Sequence, residues 1–164
     1  MGTPMRFFLR TLLYIACAPT DVLGFIAAML LRVLWGKSLH VHKGALVCQL
    51  DRSKWFERRL FSGWGGSTIS PHVIIVGDGD FHVLPHELVH MEQFEAAALL
   101  GAVFTIVGFV LQLPTWVAVL PVVFNVWATA LAAYTTAVLR GEDFYRGAHI
   151  EEAAYDHANP PGTP

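Results

Sequence analysis

Two long apolar runs separated by one turn dominate what this chain can fold into. Phe94 to Leu113 carries no charge except Glu95, Trp116 to Leu139 carries none, and Leu113-Pro114-Thr115 separates them. Each run is close to the roughly 20 apolar residues that cross the hydrocarbon core of a bilayer as a helix. A chain of 164 residues has little protein with which to wrap two helices that are apolar all round, so a membrane hairpin is expected. Composition agrees, because 54% hydrophobic and 15% charged residues is too apolar a balance for an average soluble domain.

The N-terminus is apolar as well, from Phe7 to Trp35, with interruptions at Arg10, Pro19-Thr20-Asp21 and Arg32. Arg6 and Arg10 ahead of Leu12 to Ala18 have the look of a signal peptide. The apolar character resumes at Val22, however, so cleavage would leave a second anchor behind. Residues 1–36 therefore read as an N-terminal membrane segment, either one long interrupted span or a shallow re-entrant hairpin. Lys37, Lys43, Arg52, Lys54, Arg58 and Arg59 lie between the apolar regions, and Arg140 and Arg146 follow the hairpin. Under the positive-inside rule these parts are cytoplasmic. The net charge is −2 and the basic residues are spread over membrane-flanking loops, which argues against nucleic acid as a partner and for membrane lipid. Cys17 and Cys48 lack Cys-x-x-Cys spacing and read as buried thiols.

Immediately before the hairpin stands His86-Glu87-Leu88-Val89-His90, an H-E-x-x-H pentapeptide. On a helix, residues four apart lie on one face, so His86 and His90 can offer two imidazole nitrogens to one metal ion, with Glu87 close by. Two neutral ligands, an open coordination position and a carboxylate base are what metal-assisted hydrolysis requires. The preceding segment, Gly66 to Val76, is rich in β-branched residues and predicts a strand, closed by Gly77-Asp78-Gly79-Asp80. Asp78 or Asp80 is a candidate N-cap, and Pro85 is compatible with a helix only in its first turn.

A third ligand is expected after the hairpin, because two crossings return the chain to the side it left. Residues 140–157 are rich in ligands, and at helical spacing Glu151 faces Tyr155 while Glu152 faces Asp156. Either glutamate can complete the set. His72, His149, Tyr155 and His157 are the candidates to stabilise an oxyanion.

His86-Glu87-Leu88-Val89-His90 followed by Glu151-Glu152-Ala153-Ala154-Tyr155 resembles the gluzincin class of zinc peptidases, in which a glutamate from a following helix completes the site. More narrowly, Gly66 to Ile74, His86 to Glu95 and Glu151 to Tyr155 are similar to a group of small bacterial HExxH membrane proteins. In that group a Gly-His pair precedes the strand's apolar run, where this chain has Ser70-Pro71-His72. Alignment on Ala-Tyr selects Glu151, and a Glu-x-x-x-Asp reading selects Glu152. The resemblance implies Zn²⁺ held by His86, His90 and Glu151 or Glu152, with Glu87 as general base and His72 and Tyr155 as further catalytic candidates. It also implies a peptide or protein substrate and a bacterial inner (cytoplasmic) membrane location.

The fold expected is α+β: a minimal zincin-like core over 37–93, made of a short antiparallel sheet and the HExxH helix, with a transmembrane hairpin inserted at 94–139. A third-ligand helix at 140–157 and a disordered tail at 158–164 complete it. Two other functions fit less of the sequence. One is a metal-stabilised membrane scaffold without turnover, for which Glu87 has no use. The other is a membrane di-iron oxidoreductase, which needs several His-rich boxes with adjacent histidines that this chain lacks.

Overall fold

The computed structural model describes residues 3–51, 65–143 and 148–158. Arg52, Lys54, Arg58, Arg59 and Arg146, on which the charge argument partly rests, and the tail from Asn159 lie outside them. Among the described residues, four α-helices and a four-stranded sheet make up an α+β structure: α1 Thr3–Trp35, β1 Gly36–His42, β2 Ala45–Leu50, β3 Gly66–Ser70, β4 Val73–Gly77, α2 Leu84–Val110, α3 Thr115–Leu139 and α4 His149–Ala158. A single 3₁₀ turn, Phe81–Val83, leads into α2.

Three helical stretches are long and apolar enough to cross a membrane: Phe7–Trp35, Phe81–Val110 and Thr115–Leu139. α1 runs unbroken through Pro19, and the hydroxyl of the fully buried Thr20 reaches the backbone carbonyls of Val122 and Val123 on α3. The apolar run of α2 continues the motif helix without a break, and Pro85 occupies its first turn. Asp80 stands before the 3₁₀ turn without a side-chain cap bond, and Asp78 instead accepts from the Gln49 amide. α2 and α3 approach closely through small residues. A Cβ at Gly101 would lie 2.6 Å from the Pro121 carbonyl oxygen, and one at Gly108 would lie 3.1 Å from Ala118. Such close backbone approach is how helices associate where burial of apolar surface gives no drive.

The sheet order is β1-β2-β4-β3. It is mixed, which corrects the expectation of an antiparallel sheet: β1 and β2 are antiparallel, as are β3 and β4, but β2 and β4 run parallel. Gly66 to Val76 is also two strands, not one. Pro71 has no N–H to continue a ladder, and the chain turns at Pro71-His72 while Asp21 of α1 accepts from the His72 N–H and the Ser70 hydroxyl.

β2 and β4 are buried on both faces, and alternate residues divide between two helices. Cys48, Leu50, Val73 and Ile75 pack with Ala28, Leu31 and Trp35 of α1. Ala45, Val47, Ile74 and Val76 pack with Leu84, Leu88 and Met91 of α2. This two-sided burial explains the near-continuous apolar character of both strands. It also presses the H-E-x-x-H turn of α2 against the sheet beside edge strand β3.

Candidate metal centre

His86 and His90 lie one turn apart on α2, and the return of the chain through α3 brings Glu151 of α4 to them. His86 Nε2 and His90 Nε2 are 3.1 Å apart, and Glu151 Oε2 lies 3.0 Å from the first and 3.3 Å from the second. A zinc ion with ligand bonds of about 2.0–2.1 Å in tetrahedral geometry separates its ligand atoms by roughly 3.3 Å. The three atoms therefore already have nearly the spacing that one such ion imposes. Of the two glutamates left open by the sequence, Glu151 is buried in this cluster and Glu152 is exposed.

Hydrogen bonds behind His90 and Glu151 fix their lone pairs, whereas the buried His86 Nδ1 has no hydrogen-bond partner among the described residues. Gln93 Nε2 donates to the Ile150 carbonyl at 3.0 Å, so Gln93 Oε1 faces His90 Nδ1 at 2.8 Å and must accept its proton. The bare lone pair of His90 then sits on Nε2 and points at the cluster. Tyr134 of α3 donates to Glu151 Oε1 at 2.7 Å, leaving Oε2 for the centre. Burial alone would raise the pKa of Glu151, but the adjoining His86 and His90 rings and the Tyr134 hydroxyl outweigh it and hold the carboxyl down to about 2. Two imidazole nitrogens and an ionised carboxylate thus converge on one point, a donor set that suits zinc.

Glu87 is 3% exposed and is not one of these ligands. The Thr68 hydroxyl of β3 lies 2.9 Å from Glu87 Oε2 and 2.8 Å from the Glu87 carbonyl, fixing the side chain against the edge strand. Gly66, Ser67, Thr68, Glu87, His90, Tyr134 and Glu151 border one narrow recess of about 60 Å³. Glu87 and Glu151 therefore face the same small space.

The remaining candidates lie apart or act indirectly. The Tyr155 ring packs against His86, with centroids 4.5 Å apart, and is partly exposed. His149 is exposed. His157 closes α4, outside the residues whose side chains are described. His72 does not join the cluster: its ring bonds Asp21 and Glu95, and these carboxylates outweigh the lowering effect of burial and raise its pKa.

Tyr134 and Thr68 escape a reading of the sequence. Tyr134 leaves a trace, as the one tyrosine in a membrane-length helix without charged residues; Thr68 leaves none, because its inward direction depends on the register of β3. Gln93→Ala and Tyr134→Phe are each expected to weaken zinc binding at this centre by about 10–100-fold. Competition with a chromogenic chelator measures this, and wild-type affinity in both variants would show that these bonds do not orient the ligands.

Comparison with protein-family models, with curated proteins and with solved structures finds no match to this chain.

Proposed function

We propose that the chain is a membrane-bound zinc-dependent hydrolase, specifically a peptidase, at a bacterial inner membrane with its site on the cytoplasmic side. The observation that carries this reading is the convergence of His86 Nε2, His90 Nε2 and Glu151 Oε2 within 3.0–3.3 Å of one another, beside a buried glutamate that is not a ligand. A zinc ion held by these three groups supplies Lewis acidity and a water of lowered pKa. Glu87 would be the carboxylate that holds the proton of an attacking water and returns it to the leaving amine. Thr68 holds the carboxylate in place for this, and Gln93 and Tyr134 hold the ligands.

The relation of α2 to β3 supports a zincin-like core. The recess borders Gly66 and Ser67 of an edge strand, along which an extended peptide can lie by main-chain hydrogen bonding. Tyr155 acts here by packing the His86 ring, and His72 is given no catalytic part. If the hairpin tip marks one membrane face, Tyr134 lies roughly 28 Å along α3 from Thr115, close to the full depth of a bilayer core of about 30 Å. The centre then sits at the opposite face, within reach of peptides in the interface. A scaffold has no use for Glu87, and a set of two histidines and one carboxylate serves one metal ion, not a pair of irons.

Detergent-purified protein supplied with zinc is expected to cleave a pool of fluorogenic peptides. A strong chelator should abolish the rate and added zinc restore it. Turnover that survives complete removal of metal would contradict the proposal.

A further inference from the structure

The other side of α2 meets a second set of ligating side chains. Glu95 follows His86 by nine residues, about half a turn out of phase at roughly 100° per residue. Cys17 and Asp21 are four apart on α1 and share a face, and His72 reaches them from the β3–β4 turn. Ligand atoms of Cys17, Asp21 and His72 lie within 4.8 Å of one another. His72 Nδ1 is 2.6 Å from Asp21 Oδ2, and its Nε2 is 3.2 Å from Glu95 Oε1. Each ring nitrogen therefore faces one carboxyl group, and Nδ1 is the one placed beside Asp21.

This cluster lies at membrane depth in the spanning arrangement. Thr20 meets the carbonyls of Val122 and Val123, and the Trp127 indole donates to Ile69 just ahead of the turn. These α3 residues lie roughly 10–18 Å from the Thr115 end, the middle of a core of about 30 Å. Ionisable side chains are costly there and mark ion- or proton-handling sites. A cavity of about 410 Å³ bordered by Arg10, Tyr14, Lys43, His72 and Glu95 opens beside the cluster.

We propose that Cys17, Asp21 and His72 form a second divalent-metal site, suited to zinc and separate from the centre at His86, with Glu95 holding the far ring nitrogen of His72. A thiol, an imidazole and a carboxylate make a mixed sulfur, nitrogen and oxygen set that favours zinc over magnesium or calcium. The Cys17 thiol and the Nδ1 nitrogen of His72 ligate only in their deprotonated forms, so binding releases the protons they carry. The ion would tie α1 to the β3–β4 turn, which Glu95 in turn links to α2.

The test uses the full chain in detergent with Co²⁺ alone as the probe. A thiolate-to-cobalt absorption band in the near ultraviolet is expected in the wild type, in His86→Ala and in Cys48→Ala, and should be lost in Cys17→Ser. Elemental analysis should find two zinc ions per wild-type chain and one in each of Cys17→Ser and His86→Ala. As a reading independent of folding of the Cys17 variant, zinc-edge absorption of His86→Ala should show sulfur at about 2.3 Å. No sulfur band in the wild type, no sulfur shell in His86→Ala, or full zinc content in Cys17→Ser would overturn the proposal. Loss of the His86 centre alone would instead count against the hydrolase reading and leave this site intact.

Discussion

Glu87→Gln should leave zinc in place and lower turnover by roughly 10²–10⁴-fold, the range expected when a positioned general base is removed. Glutamine has the same shape, and its amide oxygen can still accept from Thr68, so the recess keeps its form. What it cannot do is take a proton from water. Because Glu87 is not among the atoms that converge with His86 and His90, metal content should not follow activity down. Initial rates on a cleaved peptide, read beside zinc content, check both halves. Wild-type turnover in the variant would remove Glu87 from the mechanism, and loss of zinc would make it a ligand instead.

Glu151→Gln and Glu152→Gln, one residue apart, should differ sharply. Glu151 is 1% exposed, accepts from the Tyr134 hydroxyl and lies 3.0 Å and 3.3 Å from the Nε2 atoms of His86 and His90. Loss of its charge should weaken zinc at this centre by roughly 10²-fold or more, beyond the 10–100-fold range of outer hydrogen-bond partners. Its carboxyl is depressed in the folded chain from 4.5 to about 2, so its contribution to stability is full above the ordinary carboxylate range. That contribution disappears as the pH falls through about 2. Glu152 is exposed, and its replacement should change stability by no more than about 0.5 kcal/mol and leave zinc binding unchanged. Chelator competition and thermal unfolding in detergent measure the pair; equal behaviour of the two variants would dissolve the distinction.

The legible part of this protein is the part encoded by local periodicity and length. The apolar runs on either side of Leu113-Pro114-Thr115 are long enough to be helices in any environment, and Pro85 permits a helix only where α2 starts. The return of the chain to the motif follows from two helices in succession. What remained open depends on phase and register. Glu151 and Glu152 are adjacent, and only the rotation of α4 decides which one turns inward. His72 looks like a strand histidine near the motif, but the break at Pro71 makes it a turn residue facing α1. The parallel pairing of β2 with β4 is a topological fact, and no residue pattern within either strand announces it. Asp21 shows the same limit. It reads as an interruption in an apolar run, whereas in the fold its carboxylate organises the β3–β4 turn.

The most direct measurement is anomalous diffraction at the zinc edge from crystals of the metal-loaded chain. The expected result is a peak bonded to His86 Nε2, His90 Nε2 and Glu151 at about 2.0–2.2 Å, with a coordination position open toward Glu87. A zinc-loaded chain with no peak at that point, or with the ion ligated by Glu87 or Glu152 in place of Glu151, would contradict the metal centre described above.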